Sequence, residues 1–538
     1  MDPTTAALTG ATDPETTAPT DQDGWESWDD DDDDCEGRCG RQGPPPPPLL
    51  TDDLVIAATE RRREPALPDA TVEAALTLAF PTDVARFDLI RLPAFVSPAA
   101  PAALGDPGQT SDPIEHGTRL LAEFARRGHR ILWFADEAGE GRAAAEVPAS
   151  GFPADQLIPL PTVPSNHLDA DEALLAELAT GRREREIAAA VVWLTGPAWT
   201  TAAARARARW GWRIVYDPGP LPSAPLPPER TEADAQLRRL ADIVLTAPAA
   251  TTSDPRGTEL ALDPRTSWPA RWAVLDPAVR GSFPKASVIV VTYDNLAFTR
   301  LCVASLLANT EYPNWELIVV DNGSRDGTPE FLRELMAHST RPRIRAVFNP
   351  TNRGFGPANN QGLAIAGGDI LVLLNNDTIV PRGWLSRLAQ PLADPRLGLV
   401  GPSSNRTCNE AQVEALYETY GAMRRFAAAR GADHDGELWP IRMLAMFCTA
   451  FRRDVLTRVG FLDERYEQGM FEDEDYALRV AAAGYGVAWT PAAYVHHAYH
   501  ASIGKLLPTG EYQALFRANQ ARFEEKWGIC WERHRGPG

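Results

Sequence analysis

Residues 287–328 read SVIVVTYDNLAFTRLCVASLLANTEYPNWELIVVDNGSRDGT. Ser287–Val291 is a short unbroken apolar run, as expected of a strand buried on both faces, and Trp315–Val320 is a second. Leu296–Ala308 between them is spaced as a helix, so the stretch reads strand, helix, strand. Each strand ends in polar turn formers: Thr292-Tyr293-Asp294-Asn295 after the first, Asp321-Asn322-Gly323-Ser324-Arg325-Asp326-Gly327 after the second. In open parallel sheets ligands bind beyond the carboxyl ends of strands, where side chains converge and helix N-termini point outward.

The same alternation continues toward the C-terminus. Thr328–His338 reads as a helix, Ile344–Phe348 as a strand, Pro357–Ala366 as a helix, Ile370–Leu374 as a strand and Trp384–Leu392 as a helix. The strand at 370–374 ends in Asn375-Asn376-Asp377, a third polar cluster on the same sheet edge. Between the clusters, NRGFGPANNQG (352–362) joins glycines, which let backbone approach a ligand, to an Asn-rich helix start. Further on, Asp463, Glu464, Glu467, Glu472, Asp473, Glu474 and Asp475 are compensated locally only by Arg465. Crowding of this kind costs repulsion unless a cation or a shared proton relieves it, and it raises a carboxyl pKa toward the range of a general base. His496, His497 and His500 follow a strand expected at Val487–Thr490, and imidazole beside carboxylates suits a divalent metal.

Toward the N-terminus the signal weakens. Residues 256–285 are Pro- and Trp-rich without clear period and read as a linker. Residues 51–255 alternate strands (Phe87–Pro93, His129–Phe134, Ala188–Leu194, Arg213–Tyr216, Asp242–Thr246) with helices such as Glu115–Gly128 and Thr201–Trp210, which implies a parallel doubly wound sheet. No G-x-G-x-x-G follows any of these strands, so a dinucleotide site has no support. Residues 1–50 hold 13 acids, including Asp29–Asp34, against Arg38 and Arg41, and close on Pro44–Pro48; the expectation is a disordered acidic tail in which Cys35 and Cys39 are incidental.

The whole chain has 538 residues, enough for about three units, and a formal charge of −20. That balance argues against nucleic acid or an anionic membrane as a general partner. Six scattered cysteines suit a reducing compartment. The start lacks the basic and apolar regions of a signal peptide, and Ile187–Leu194, the most apolar run, is far short of the ~20 residues that span a bilayer. The expectation is a cytoplasmic protein; amphipathic Tyr512–Trp527 leaves room for peripheral contact at the inner face of the membrane.

Taken in order, SVIVVTYDN, LIVVDNGSRDGT, NPTNRGFGPANNQGLAIAGGDILVLLNNDT, GFLDERYEQGMFEDEDYALRVAAAGYGV and VHHAYH resemble the family 2 glycosyltransferases, particularly the bacterial rhamnosyl- and galactofuranosyltransferase-like branch. The resemblance spans about 286–530 and implies a GT-A (nucleotide-diphospho-sugar transferase) fold, α/β with a mainly parallel sheet. It implies that Thr292, Tyr293 and Asp321 hold base and ribose with Asp294 and Arg353 nearby, and that Asn375 and Asn376 lie on the sugar-nucleotide. It further implies that Asp377 ends the D-x-D equivalent and ligates Mg2+ or Mn2+, that His497 is a second metal ligand, and that Asp473, beside Glu472, takes the acceptor proton. The D-x-D equivalent departs from its pattern, since Asn375 stands where a first carboxylate would. In the front half, HGTRLLAEFARRGHRILWF, RIVYDPG and LADIVLTAP resemble the Rossmann-like N-terminal half of a family 4 (GT-B) glycosyltransferase, without a donor-binding half after it.

The function so implied is inverting transfer of a hexosyl or deoxyhexosyl group from a nucleotide-diphosphate sugar to a glycan or lipid-linked acceptor, in cell-surface polysaccharide synthesis. The alternative is a non-catalytic sugar-nucleotide-binding or scaffold subunit. A nucleotidyltransferase would need glycine and a basic residue after the first strand to hold triphosphate, and the turn after Val291 has neither.

Overall fold

The structure is a computed structural model. It describes residues 199–217, 228–246, 259–262, 268–339, 341–498 and 510–532, with 50, 52, 54, 88–91, 131–134, 157–160, 174–176, 178–180, 182, 187 and 190–194. Residues 1–49 of the acidic tail with Cys35 and Cys39, the helix expected at Glu115–Gly128, and His500 lie outside the described residues.

Two sheets organise the chain. The first is all parallel, with β1 (Asp88–Arg91), β2 (Ile131–Phe134), β3 (Leu157–Leu160), β4 (Ala190–Leu194), β5 (Arg213–Tyr216), β6 (Ile243–Thr246) and β7 (Glu259–Ala261) in the order 3-2-1-4-5-6-7. Helices α1 (Thr200–Trp210) and α2 (Pro228–Leu240) connect its last strands. All five residues of β4 are buried, as a strand covered on both faces requires.

The segment expected as a linker is structured. It carries β7 and the helix α3 (Trp268–Gly281), whose Trp272, Leu275 and Val279 are at most 2% exposed. These side chains sit in one hydrophobic core with Val191, Trp193 and Val215 of the first sheet and Val288, Leu317 and Val319 of the second. Its buried positions 272, 275, 276 and 279 follow a helical period, but its exposed ones carry Ala270, Ala273, Val274 and Pro277 while Asp276 is inside, so polarity did not mark the face.

The second sheet is mixed. Its parallel half consists of β8 (Ala286–Thr292), β9 (Trp315–Asp321), β10 (Arg343–Phe348) and β11 (Ile370–Asn375) in the order 10-9-8-11. The crossovers are α4 (Leu296–Asn309), α5 (Thr328–His338) and α6 (Phe355–Ile365). Such crossovers need about a dozen residues each and leave the strand ends side by side. A small two-stranded antiparallel sheet, β12 (Thr378–Ile379) with β17 (His496–His497), lies just past the end of β11. The sheet continues with β13 (Leu397–Ser403), β14 (Trp439–Pro440), β15 (Cys448–Arg452) and β16 (Gly486–Tyr494), β15 running antiparallel to β11. Helices α7 (Trp384–Ala389), α8 (Tyr420–Asp433), α9 (Arg453–Val459), α10 (Glu472–Ala482) and α11 (Glu511–Trp527) complete the described elements.

The short piece around residues 50–54 docks on this second unit, which nothing in the sequence announced. Tyr420 N–H donates to the Leu54 carbonyl at 2.7 Å and Gly421 N–H to that of Asp52 at 3.0 Å, so the chain caps the start of α8. Leu54 is buried among Tyr417, Tyr420, Met423 and Ile379. Among the described residues no helix is long and apolar enough to cross a membrane.

Candidate functional site

The register of β8, β9 and β11 pairs Thr292 with Asp321 and Val291 with Asn375, so the three polar strand ends share one edge. There the side chains divide into two groups. Thr292 and Asn376 turn inward: the Thr292 and Thr299 hydroxyls lie 2.6 Å apart, and the Asn376 amide donates to both, at 3.2 and 3.0 Å. Their side chains fix the shape of the turn rather than face outward. Asp321 is 2% exposed and accepts from Ser324 N–H at 3.2 Å, and burial raises its pKa above the ordinary value.

Asp294 ties the first two turns together. Its carboxylate accepts from Arg325 N–H at 2.6 Å and its own N–H donates to Ser324 Oγ at 3.0 Å, from a backbone φ of 45° that side chains rarely adopt. Tyr293 is half-buried at the rim, and Arg353 is exposed with its N–H donating to Asn322 Oδ1 at 3.0 Å. Asn322 also donates to Asn352 Oδ1 (2.7 Å) and accepts from Asn349 (3.0 Å), so the Asn-rich loop is knitted to the end of β9. Gly354, at φ 90°, is obligatory: a Cβ there would lie 1.9 Å from the Glu467 carbonyl oxygen.

Asp377 and His497 come together although 120 positions separate them. The β12–β17 ladder pairs Thr378 with His497, and Ala498 N–H donates to the Asp377 carbonyl at 2.9 Å. The imidazole Nε2 stands 3.4 Å from Asp377 Oδ1. Its Nδ1 lies 3.1 Å from the Arg406 carbonyl oxygen, which can only accept. In the neutral ring the proton therefore sits on Nδ1, and Nε2 turns a lone pair toward the carboxylate. Phe447 stacks on the ring at 4.7 Å, and Asn405 brackets its backbone at both N–H (2.8 Å) and C=O (3.0 Å). A carboxylate and an imidazole lone pair so directed fit a divalent cation, which commonly takes one or two protein groups and fills its remaining positions with phosphate and water. Among the described residues no cluster of three or more His, Cys, Asp or Glu adds a further ligand. His496 plays a different part: it is fully buried, hydrogen-bonds Tyr417 at 2.8 Å, and has its pKa lowered to about 3 by burial and by His497.

The acidic run resolves into structural pairs and one exceptional couple. Asp475, 0% exposed, meets Arg479 at 2.9 Å, Lys526, and the Trp527 indole at 3.0 Å. Glu474 meets Arg442 at 2.8 Å and the Trp531 indole. Asp463 meets Lys526 at 2.7 Å and Arg465 at 2.8 Å; against the upward push of burial these bonds hold its carboxyl at about 2. Glu467 meets Arg522 at 2.6 Å. Arg465 is thus not the sole compensation that the sequence suggested. Most of the relief comes from α11 and from Arg442 and Arg479.

Glu464 accepts from the Asn360 amide at 3.0 Å, which leaves Glu472 and Asp473. Glu472 is 8% exposed, its Oε2 has no hydrogen-bond partner, and burial followed by the charge of Asp473 raises its pKa to about 8. Asp473 is half-buried on the first turn of α10, where the helix dipole favours a negative charge. The residues leading into this turn are strained: Glu467, Met470 and Phe471 all have positive φ, at 53°, 75° and 72°.

A loop overlooked in the sequence joins the two centres. Its Arg406 carbonyl meets His497, and two positions on Cys408 lies in the electrostatic field of Asp473, Glu474 and Glu472. Cys408 is exposed as a residue, and its thiol is pushed up to about 12 by the protein packed round it and then by the charge of Asp473. Asn409 anchors the far end through the Met443 carbonyl at 3.1 Å. The brace on α11 was also missed, although Asn519, Arg522, Phe523 and Lys526 follow the i, i+3, i+4, i+7 spacing of one helix face. The sequence marks the stretch as amphipathic but not the distant acids that its polar positions meet.

Residues 287–460 match the model of Glycosyl transferase family 2. The uncharacterized protein y4gI of Sinorhizobium fredii is 31% identical over 45% of this chain and 28% of its own length. The O-antigen biosynthesis protein RfbC of Myxococcus xanthus is 28% identical over 46% of this chain and 20% of its own. The succinoglycan biosynthesis protein ExoO of Rhizobium meliloti is 27% identical over 46% and 70%. The chain therefore spans a quarter or so of the first two relatives' length. Its C-terminal region carries a glycosyl transferase family 2 domain, and named relatives of that domain serve polysaccharide biosynthesis.

Proposed function

We propose that the chain is an inverting glycosyltransferase of GT-A fold that moves a hexosyl or deoxyhexosyl group, rhamnosyl among them, from a nucleotide-diphosphate sugar to a glycan or lipid-linked acceptor, acting in the cytoplasm. One observation carries the reading: the 405–409 segment sets a cation-fitting pair, Asp377 and His497, and a carboxylate couple, Glu472 and Asp473, at its two ends.

In this reading the edge formed by Tyr293, Asp321 and Arg353 takes the base and ribose, with Thr292 and Asn376 shaping the turn from within. Asp377 and His497 would hold Mg2+ or Mn2+, which when bound supplies positive charge against the departing diphosphate. Asp473 accepts the acceptor proton as its oxygen attacks the anomeric carbon from the opposite face. Glu472, whose carboxyl is pushed up to about 8 by burial and then by the neighbouring Asp473, carries its proton at neutral pH beside that base. The first sheet is then a Rossmann-like unit, resembling a family 4 half without its own donor site, that serves acceptor binding or association.

The second reading is a sugar-nucleotide-binding scaffold, favoured by Asn375 standing where a carboxylate would strengthen the cation site. Thermal unfolding with UDP, dTDP, GDP and ADP, each with and without Mn2+, separates nucleotide binding from none, and transfer assayed with the sugar nucleotide of whichever binds separates enzyme from scaffold. A shift with one nucleotide that grows with Mn2+, followed by turnover, is the expected result. Binding without turnover would leave the scaffold.

A further inference from the structure

The helix α11 packs behind the strained segment that delivers Glu472 and Asp473: Phe516 and Phe523 meet Phe471 (ring centroids 5.1 and 5.6 Å), and one side chain bonds the backbone of the turn itself. Asn519 is 0% exposed, and its amide donates to the carbonyls of Tyr466 (2.9 Å), Gly469 (2.7 Å) and Met470 (3.3 Å). Its Oδ1 accepts from Arg522 at 2.7 Å, and Arg522 in turn reaches Glu467 at 2.6 Å. The four bonds clasp a five-residue turn in which Glu467, Gly469, Met470 and Phe471 all have positive φ, and Phe471 is the residue on which α10 begins.

The opposite side of this turn rests on the Asn-rich loop. Phe355 N–H donates to the Gln468 carbonyl at 3.3 Å, and the Glu467 carbonyl fills the space over Gly354. The turn is therefore held between α11 and the loop that is knitted to the end of β9. Backbone in a sparsely populated conformation persists only where its surroundings over-determine it, and here Asn519 does so from one side and Gly354 from the other.

We propose that Asn519 is a positioning residue: through the carbonyls of Tyr466, Gly469 and Met470 it holds the 467–471 turn so that Glu472 and Asp473 stand correctly for proton transfer. This rests on the reading of that couple given above. Asn suits the task because its amide offers two N–H groups to clustered carbonyls, whereas a carboxylate would repel them. The short side chain also keeps α11 close enough for Arg522 and Lys526 to reach Glu467, Asp463 and Asp475.

The test compares the full chain with Asn519→Ala in two ways. Hydrogen–deuterium exchange at the amides of 467–474 is expected to rise at least about tenfold while β8, β9 and β11 stay protected. With the donor found by the nucleotide panel, kcat is expected to fall about 10- to 100-fold with donor KM within about twofold, and the limb of the pH–rate profile set by Glu472 to move toward lower pH as its burial loosens. Unchanged exchange in 467–474, or wild-type kcat and pH profile in the folded fraction, overturns the proposal. If the wild-type chain transfers no sugar, the functional reading fails, and exchange alone then decides whether Asn519 holds the turn. Should Asn519→Ala not fold, Arg522→Met, which removes only the outer part of the clasp, is expected to give the same changes at smaller amplitude, and no change in either readout overturns the proposal equally.

Discussion

The Nε2 of His497 faces the Oδ1 of Asp377 across 3.4 Å, with the ring's other nitrogen committed to the Arg406 carbonyl. Both facing atoms can accept, so the gap between them attracts a proton or a metal ion. Removing either partner should therefore remove cation affinity rather than stability. Asp377→Asn and His497→Ala are each expected to abolish the Mn2+-dependent part of the nucleotide thermal shift, weakening the cation by about 10-fold or more. A full Mn2+ response in both variants would exclude the pair as ligands.

Asp473→Asn keeps the shape of the α10 start but cannot accept a proton. Sugar transfer is expected to drop by about 10²–10⁴-fold while the thermal shift with nucleotide stays as in the wild type. Near-normal turnover would move the base to Glu472; Glu474 and Asp475 are already bound in structural pairs with Arg442, Arg479 and Lys526.

Glu472 also predicts a pH dependence of stability. Its folded pKa of about 8 lies above the ordinary 4.5, because burial and Asp473 disfavour the charge. The folded state thus holds a proton that the unfolded chain releases between those values, and stability falls as pH rises through that window. Each tenfold change in proton affinity is worth about 1.4 kcal/mol, so the loss is on the order of a few kcal/mol. Glu472→Gln should match the wild type near pH 4.5 and be the more stable protein at pH 8–9. Melting curves that stay parallel across this range would contradict the assignment.

Gly354→Ala should cost on the order of 3 kcal/mol, since the new Cβ meets the Glu467 carbonyl at 1.9 Å and the backbone sits at φ 90°. Gly281→Ala, with nothing within 4 Å, should stay within about 0.5 kcal/mol of the wild type or above it. Urea unfolding of the two variants checks the contrast, which fails if they behave alike.

Lys526→Met strips one of the cations that face fully buried Asp475. Arg479 remains, so the loss is expected at the lower end for a broken buried pair, about 3 kcal/mol. A loss under about 1 kcal/mol would mean that the acidic run needs no brace from α11.

The parallel half of the second sheet was legible because its strands are unbroken aliphatic runs and its turns are rich in Asp, Asn and Gly. Pattern alone placed β8, β9 and β11 and the polar residues at their ends. It did not tell which of these side chains are spent internally: Thr292, Asn376 and Asp321 are all at most 5% exposed, and the first two are tied to Thr299. Nor could a local reading find partners far along the chain. Lys526 neutralises Asp463 and Asp475 from more than fifty positions away, and the acidic run looked uncompensated for that reason alone. The helix α3 escaped because its exposed face carries Ala273, Val274 and Pro277 while its acid, Asp276, is buried.

The buried face of α3 also bears on cooperativity. Trp272, Leu275 and Val279 belong at once to the core under the first sheet and the core under the second, and Leu54 is stitched into the second from the chain's early part. A cut at residue 285 would strip Trp272, Leu275, Val279 and Leu54 from the remaining piece and leave a raw apolar surface against Val288 and Leu317. Sites that lie wholly beyond residue 290 thus depend for their solidity on sequence well before it, and the described parts of both sheets are expected to melt in a single transition.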